Sequence, residues 1–63
     1  MTERIYNSAE IARIVHVTRK KVEVWMVQGT LRTVRLYEST ESQVAALCRQ
    51  LGIDPEWPGT AAG

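Results

Sequence analysis

Ile11-Ala12-Arg13-Ile14-Val15-His16-Val17-Thr18-Arg19-Lys20-Lys21-Val22-Glu23-Val24-Trp25-Met26-Val27 is the stretch on which the fold turns. Ile11, Ile14 and Val15 are spaced i, i+3, i+4, one face of a helix. The pattern breaks at His16-Val17 and returns at Val22, Trp25 and Met26. Thr18 lies between the two faces, and its hydroxyl is of the kind that caps a helix N-terminus. Two short amphipathic helices joined by a tight turn, the second opening on Arg19-Lys20-Lys21, predict a helix-turn-helix.

The flanks supply the start and stop signals. Asn7 with Glu10 three residues later has capping-box spacing, with Tyr6 and Ile11 at the positions of a hydrophobic staple, so a first helix should run over residues 8–15. Small Ala12 falls where the two helices meet. The turn needs a residue tolerant of positive φ, and histidine is among the non-glycine residues enriched there, so His16 reads as a turn residue rather than a catalytic or metal-binding one. Val17 should tuck into the core. The second helix runs from the Thr18 cap to about Gln28, and Gly29 closes it. Its box is incomplete, because Lys21 stands where the acid belongs. Its three leading cations oppose the helix dipole at a cost of a few tenths of a kcal/mol each (~0.3 or more), which a docked polyanion would remove.

Residues 31–37 are rich in β-formers without a breaker and predict a strand, with Val34 and Leu36 on the face of Arg32 and with Thr33, Arg35 and Tyr37 on the other. Its only obvious partner is Arg4-Ile5-Tyr6. Thr40 and Gln43 form a second capping-box pair opening a third helix to about Leu51, with Val44, Leu47, Cys48 and Leu51 as its apolar stripe and Gly52 as its stop. Residues 1–53 thus make one domain, and residues 54–63 read as a tail whose Trp57 could fold back onto the core. The fold expected is mainly α: a small winged helix-turn-helix of three helices with a short or truncated β wing.

Composition narrows the function. Sixty-three residues allow a single small core, and 44% apolar residues suffice to build one. No apolar run has the length of a membrane span or the form of a signal peptide, which places the chain in the cytoplasm as an expectation. One cysteine, Cys48, and one histidine, His16, do not make a metal site, so no metal or cofactor is expected. The acids Glu10, Glu23, Glu38 and Glu41 show no paired spacing, no nucleophile sits with a base and no Gly-rich phosphate loop is present, so an enzyme is not expected. Net charge is only +1, yet residues 13–35 carry +5 and residues 36–63 carry −3, a polarised surface. That polarity suggests a head-to-tail contact between copies.

Tyr6 to Leu36 resembles the helix-turn-helix domains of phage excisionases and MerR-type regulators. Glu10-Ile11-Ala12 matches their first helix, Thr18-Arg19 the start of the second, and Val22, Trp25 and Gly29 its core and end; Leu31 through Arg35 matches the entry to the wing. The likeness covers about half the chain. It departs from the pattern at His16, where Gly is usual, at Val24, where a charged residue is common, and in a wing with no Gly or Asn-Gly to mark a hairpin tip. The resemblance implies a partner in double-stranded DNA, with the second helix in the major groove. Thr18, Arg19 and Lys20 at its N-terminus are then DNA-binding residues, with Arg19 and Lys20 the leading base readers. Glu23 would accept from cytosine or pair within the helix, and Lys21, Arg32 and Arg35 would contact phosphate. Arg13 is a solvent-exposed or phosphate residue, and Tyr37 a stacking or strand-edge one. MerR-type regulators continue into a long dimerisation helix that this chain does not reach, so the first expectation is an excisionase-like architectural factor. It would work with an integrase or recombinase, or with further copies of itself in a cooperative array. A transcriptional regulator of the same fold and a phage-type interaction or packaging adaptor are the alternatives.

Overall fold

The computed structural model describes residues 3–58. In chain order it comprises β1 (Ile5–Asn7), α1 (Ser8–Val15), α2 (Arg19–Gln28), β2 (Glu38–Thr40) and α3 (Glu41–Leu51). The three helices are those the caps and apolar spacings predict. Each strand runs straight into a helix, and its last residue is that helix's N-cap. Asn7 accepts from the Glu10 N–H at 2.9 Å while the Glu10 carboxylate accepts from the Asn7 N–H at 3.1 Å. At α3 the Thr40 hydroxyl accepts from the Gln43 N–H at 3.3 Å, and the Gln43 side chain accepts from the Thr40 N–H at 2.9 Å. Two closed capping boxes therefore set the exits of one two-stranded sheet.

The sheet is antiparallel, with Ile5 opposite Thr40, Tyr6 opposite Ser39 and Asn7 opposite Glu38. Its central pair points inward: Tyr6 and Ser39 are both buried. The ladder continues outward, where the Glu41 N–H donates to the Arg4 carbonyl at 2.9 Å and the Glu3 carboxylate accepts from the Ser42 N–H at 3.0 Å. Hydrogen bonding to Ser42 holds the Glu3 carboxyl below its ordinary range.

The strand expected over residues 31–37 is not formed. Leu31 is instead a buried anchor whose N–H donates to the Trp25 carbonyl at 3.1 Å, and residues 32–34 are irregular. The partner of β1 is Glu38–Thr40, one step further along the chain. What exists of a wing is a hairpin turn closed by a bridge between Arg35 and Glu38, with Leu36 and Tyr37 at its tip and Tyr37 at φ 59°. The hydroxyl of fully buried Ser39 ties the wing's other end, donating to the Arg32 carbonyl.

The core gathers Tyr6, Ile11, Ile14 and Val15 with Val22, Trp25 and Leu31, and Val44, Leu47 and Cys48 of α3, while Val17 packs against it from the turn. Leu51, expected in the α3 stripe, is exposed, because the helix ends there and Gly52 turns the chain away. Cys48 is buried; burial first, and then the charge of Asp54, pushes its thiol up, so it acts as a small core hydrophobe. The start of the expected tail is held down. The Glu56 N–H donates to the Ile14 carbonyl at 2.9 Å, and the Trp57 ring lies 5.8 Å from that of Tyr6. Residues 59–63 of that tail lie outside the described residues.

His16 closes α1 at φ 61° and ψ 42°, the left-handed conformation expected of it. The His16 and Val17 N–H groups both reach back to the Ala12 carbonyl. A left-handed L-residue costs about 1–2 kcal/mol, and glycine there returns most of that, less about 0.5–1 kcal/mol of added unfolded-chain freedom. The imidazole lies 3.6 Å from Glu56 in an exposed pair worth about 0–1 kcal/mol. His16→Gly should therefore stay within about 1 kcal/mol of the wild type in either direction, whereas β-branched His16→Val should lose about 1 kcal/mol or more and rank below it. Thermal unfolding of the three proteins by circular dichroism checks the order; a Val variant as stable as the Gly variant would show that the turn is not under this constraint.

Candidate nucleic-acid interface

The geometry of α2 follows from its buried stripe. Val22 is fully buried and Trp25 is 8% exposed, with Met26 partly covered beside them. Anchoring that stripe against α1 leaves the opposite stripe, Lys20, Glu23, Val24 and Val27, facing outward at i, i+3, i+4 and i+7. Thr18 performs its capping role: its hydroxyl accepts from the Lys21 N–H at 3.2 Å. The three-residue turn thus fixes both the angle of α2 and the point from which its cations project.

Arg19, Lys20 and Lys21 are all exposed, and the first turn of α2 contains no acid. They differ in their local partners. Arg19 Nε donates to Glu23 Oε2 at 3.2 Å, one helical turn away. That bond holds the guanidinium along the helix and occupies one carboxylate oxygen of Glu23, so a cytosine contact by Glu23 would compete with it. Lys21 Nζ lies 5.7 Å from the centre of the Trp25 ring, which draws it toward the flank of the helix. Lys20 borders the outward groove itself.

The wing tip comes back against this helix. Tyr37 shares a shallow groove with Lys20, Glu23, Val24, Val27 and Gln28. Arg19 shares a second depression with Leu36 and Tyr37 at the start of α1. Arg35 stands at the foot of the tip, 3.8 Å from Glu38, with its side chain 74% exposed. Arg32 is separate: it lines the depression between Gly29-Thr30 and the α3 residues Ser42 and Gln43. The structure therefore brings Thr18, Arg19, Lys20, Lys21 and Glu23 together on one helix end, with Arg35 beside the neighbouring tip, and sets Arg32 apart. Arg13 is exposed on α1.

The charge reading of the sequence passes over the apolar part of this surface. Val24 is 37% exposed, Val27 75%, Leu36 83% and Tyr37 38%. The residues of α2 carry a usable signal: Val24 and Val27 are out of phase with Val22 and Trp25, so helical geometry already puts them outside the core. Leu36 and Tyr37 carry none, because an alternating strand pattern assigns them to faces of a sheet that does not form.

Among the described residues no group of three or more His, Cys, Asp or Glu side chains could hold a metal ion. Among the described residues no helix is long and apolar enough to cross a membrane. Compared with protein-family models, with curated proteins and with solved structures, the chain gives no match in any of the three.

Proposed function

We propose that this protein binds double-stranded DNA through a winged helix-turn-helix, with α2 in the major groove and the short wing beside it. The observation that carries the reading is the end of α2. Three exposed cations open a helix that is held outward by its neighbour and contains no acid in its first turn. Such an arrangement opposes the helix dipole in the free protein and is relieved by phosphate. In this reading Arg19, on leaving Glu23, and Lys20 contact base edges, and Lys21 and Arg35 contact the backbone. Within this reading the resemblance to excisionases favours an architectural factor that sets the direction of a recombinase; a transcriptional regulator uses the same contacts. The exposed apolar strip of Val24, Val27 and Leu36 favours a second reading, an adaptor that docks a protein.

Fluorescence anisotropy with a mixed-sequence duplex across a salt series tests the proposal. Four to six phosphate contacts give a log–log slope of roughly −3.5 to −5.5. Absence of binding at low salt would remove DNA as the partner.

A further inference from the structure

The apolar strip lies on the very face that the DNA-binding reading turns toward the bases. Val24 and Val27 are one turn apart on the outward stripe of α2, between Lys20 at one end and Gln28 at the other, and the Tyr37 ring walls the same groove. Neither valine belongs to the core. Val24 is partly covered where Tyr37 lines the groove, whereas Val27 is largely exposed, and there a β-branched residue lowers helix propensity with little packing to offset the loss. A purely electrostatic DNA contact does not require them, since phosphate contacts come from charged and polar groups. The major groove offers one apolar feature that fits them, the C5-methyl group of thymine.

We infer that Val24 and Val27 form a methyl-reading strip that gives this protein a preference for thymine-containing major groove. Lys20 supplies the electrostatic anchor at one end, and Tyr37 backs the strip from the wing side. The inference rests on the DNA-binding reading. The occupant is base methyl rather than protein because the strip runs on from the first turn of α2, where Arg19, Lys20 and Lys21 are exposed and no acid stands, and the acid on its rim, Glu23, is paired with Arg19.

The test replaces thymine by uracil, which removes the methyl and keeps every hydrogen-bonding group of the base. Wild-type protein is titrated at one salt concentration with duplexes of alternating adenine and thymine and with their uracil counterparts. Each lost methyl contact is worth about a CH₂ group, roughly a fourfold change in Kd, so two contacts give roughly fifteenfold weaker binding to the uracil duplex. Val24→Ala with Val27→Ala should bind both duplexes alike with an unchanged salt slope. The two alanines sit on an exposed helix face and favour the helix, so the fold is retained. A second pair, alternating guanine and cytosine with and without 5-methylation of cytosine, should show the wild type gaining on methylation; that separates methyl contact from groove shape. Equal wild-type binding to thymine and uracil duplexes with a steep salt slope would overturn the inference while leaving the DNA-binding reading standing. So would discrimination that survives in the double variant, or self-association of the free protein abolished by Val27→Ala. No binding to any duplex would remove both.

Discussion

Arg19→Ala, Lys20→Ala and Lys21→Ala together should weaken duplex binding by two to three orders of magnitude (~10²–10³-fold) at moderate salt and flatten the salt slope by up to about 2.7. The slope follows from counterion release, about 0.9 per phosphate neutralised, if all three side chains lie on the backbone. A bidentate arginine on guanine would instead add about 1–3 kcal/mol of base discrimination and leave a smaller change in slope. Measuring both quantities therefore sorts base readers from phosphate contacts. The same variant should keep its stability. It loses an exposed Arg19–Glu23 pair worth about 0.3–0.5 kcal/mol and the contact of Lys21 with the Trp25 ring, worth about 0.5–1 kcal/mol. It also removes three like charges from the positive end of a helix dipole, returning a few tenths of a kcal/mol or more (~0.3–1) for each. The returns of about 0.9–3 kcal/mol match or exceed losses of about 0.8–1.5 kcal/mol, so the variant stays folded. Intact thermal unfolding with lost binding would mark the cluster as functional, whereas unchanged affinity and slope would show that α2 does not face DNA.

The helices of this protein are legible in its sequence because their signals are local. Asn7 with Glu10 and Thr40 with Gln43 name two starts within four residues each, and Gly29 and Gly52 name two stops. Even the histidine turn is legible, since an apolar face ends at Val15 and another cannot begin before the Thr18 cap. The sheet is not legible in this way. Residues 31–37 hold the β-forming side chains, but an alternating strand is stable only if one face is buried, and of these residues only Leu31 is buried. β1 is three residues long and has one inward position, filled by Tyr6. The residue opposite must be small, and Ser39 meets that requirement while its hydroxyl finds the Arg32 carbonyl. Tertiary fit across some thirty residues of chain thus selects Glu-Ser-Thr, a poor strand by propensity, over a better one beside it. The site divides along the same line. Its cations were readable from the helix cap, but the return of Tyr37 to α2 depends on a left-handed tyrosine at the tip, and nothing in that residue type announces the turn.

Trp25→Ala should remove half or more of the protein's stability and lower its melting temperature sharply, the largest stability effect expected of a single substitution here. Truncating a buried tryptophan costs about 3–5 kcal/mol. A chain of 63 residues has a total stability of about 3–9 kcal/mol at the usual 0.05–0.15 kcal/mol per residue. The location makes compensation poor. Trp25 and Val22 are the only buried side chains of α2, with Met26 alone packing partly against the core beside them. The Trp25 carbonyl also receives the Leu31 N–H, so loosening this turn of α2 releases the buried anchor of the segment leading to the wing. Trp25→Phe, which keeps an aromatic ring in the stripe, should cost about 1–3 kcal/mol less than the alanine variant and retain a cooperative transition. Trp57→Ala should be milder than Trp25→Ala, because Trp57 packs against the core only from its edge. Circular dichroism during heating, followed by anisotropy below the transition, separates the two roles a buried-face tryptophan could have. If Trp25→Phe folds and binds duplex like the wild type, the ring serves to hold α2 at its angle and the outward stripe does the recognition. A Trp25→Ala protein that melts at the wild-type temperature would mean that α2 is held by contacts other than its buried stripe, and the angle at which its cations are presented would need another explanation.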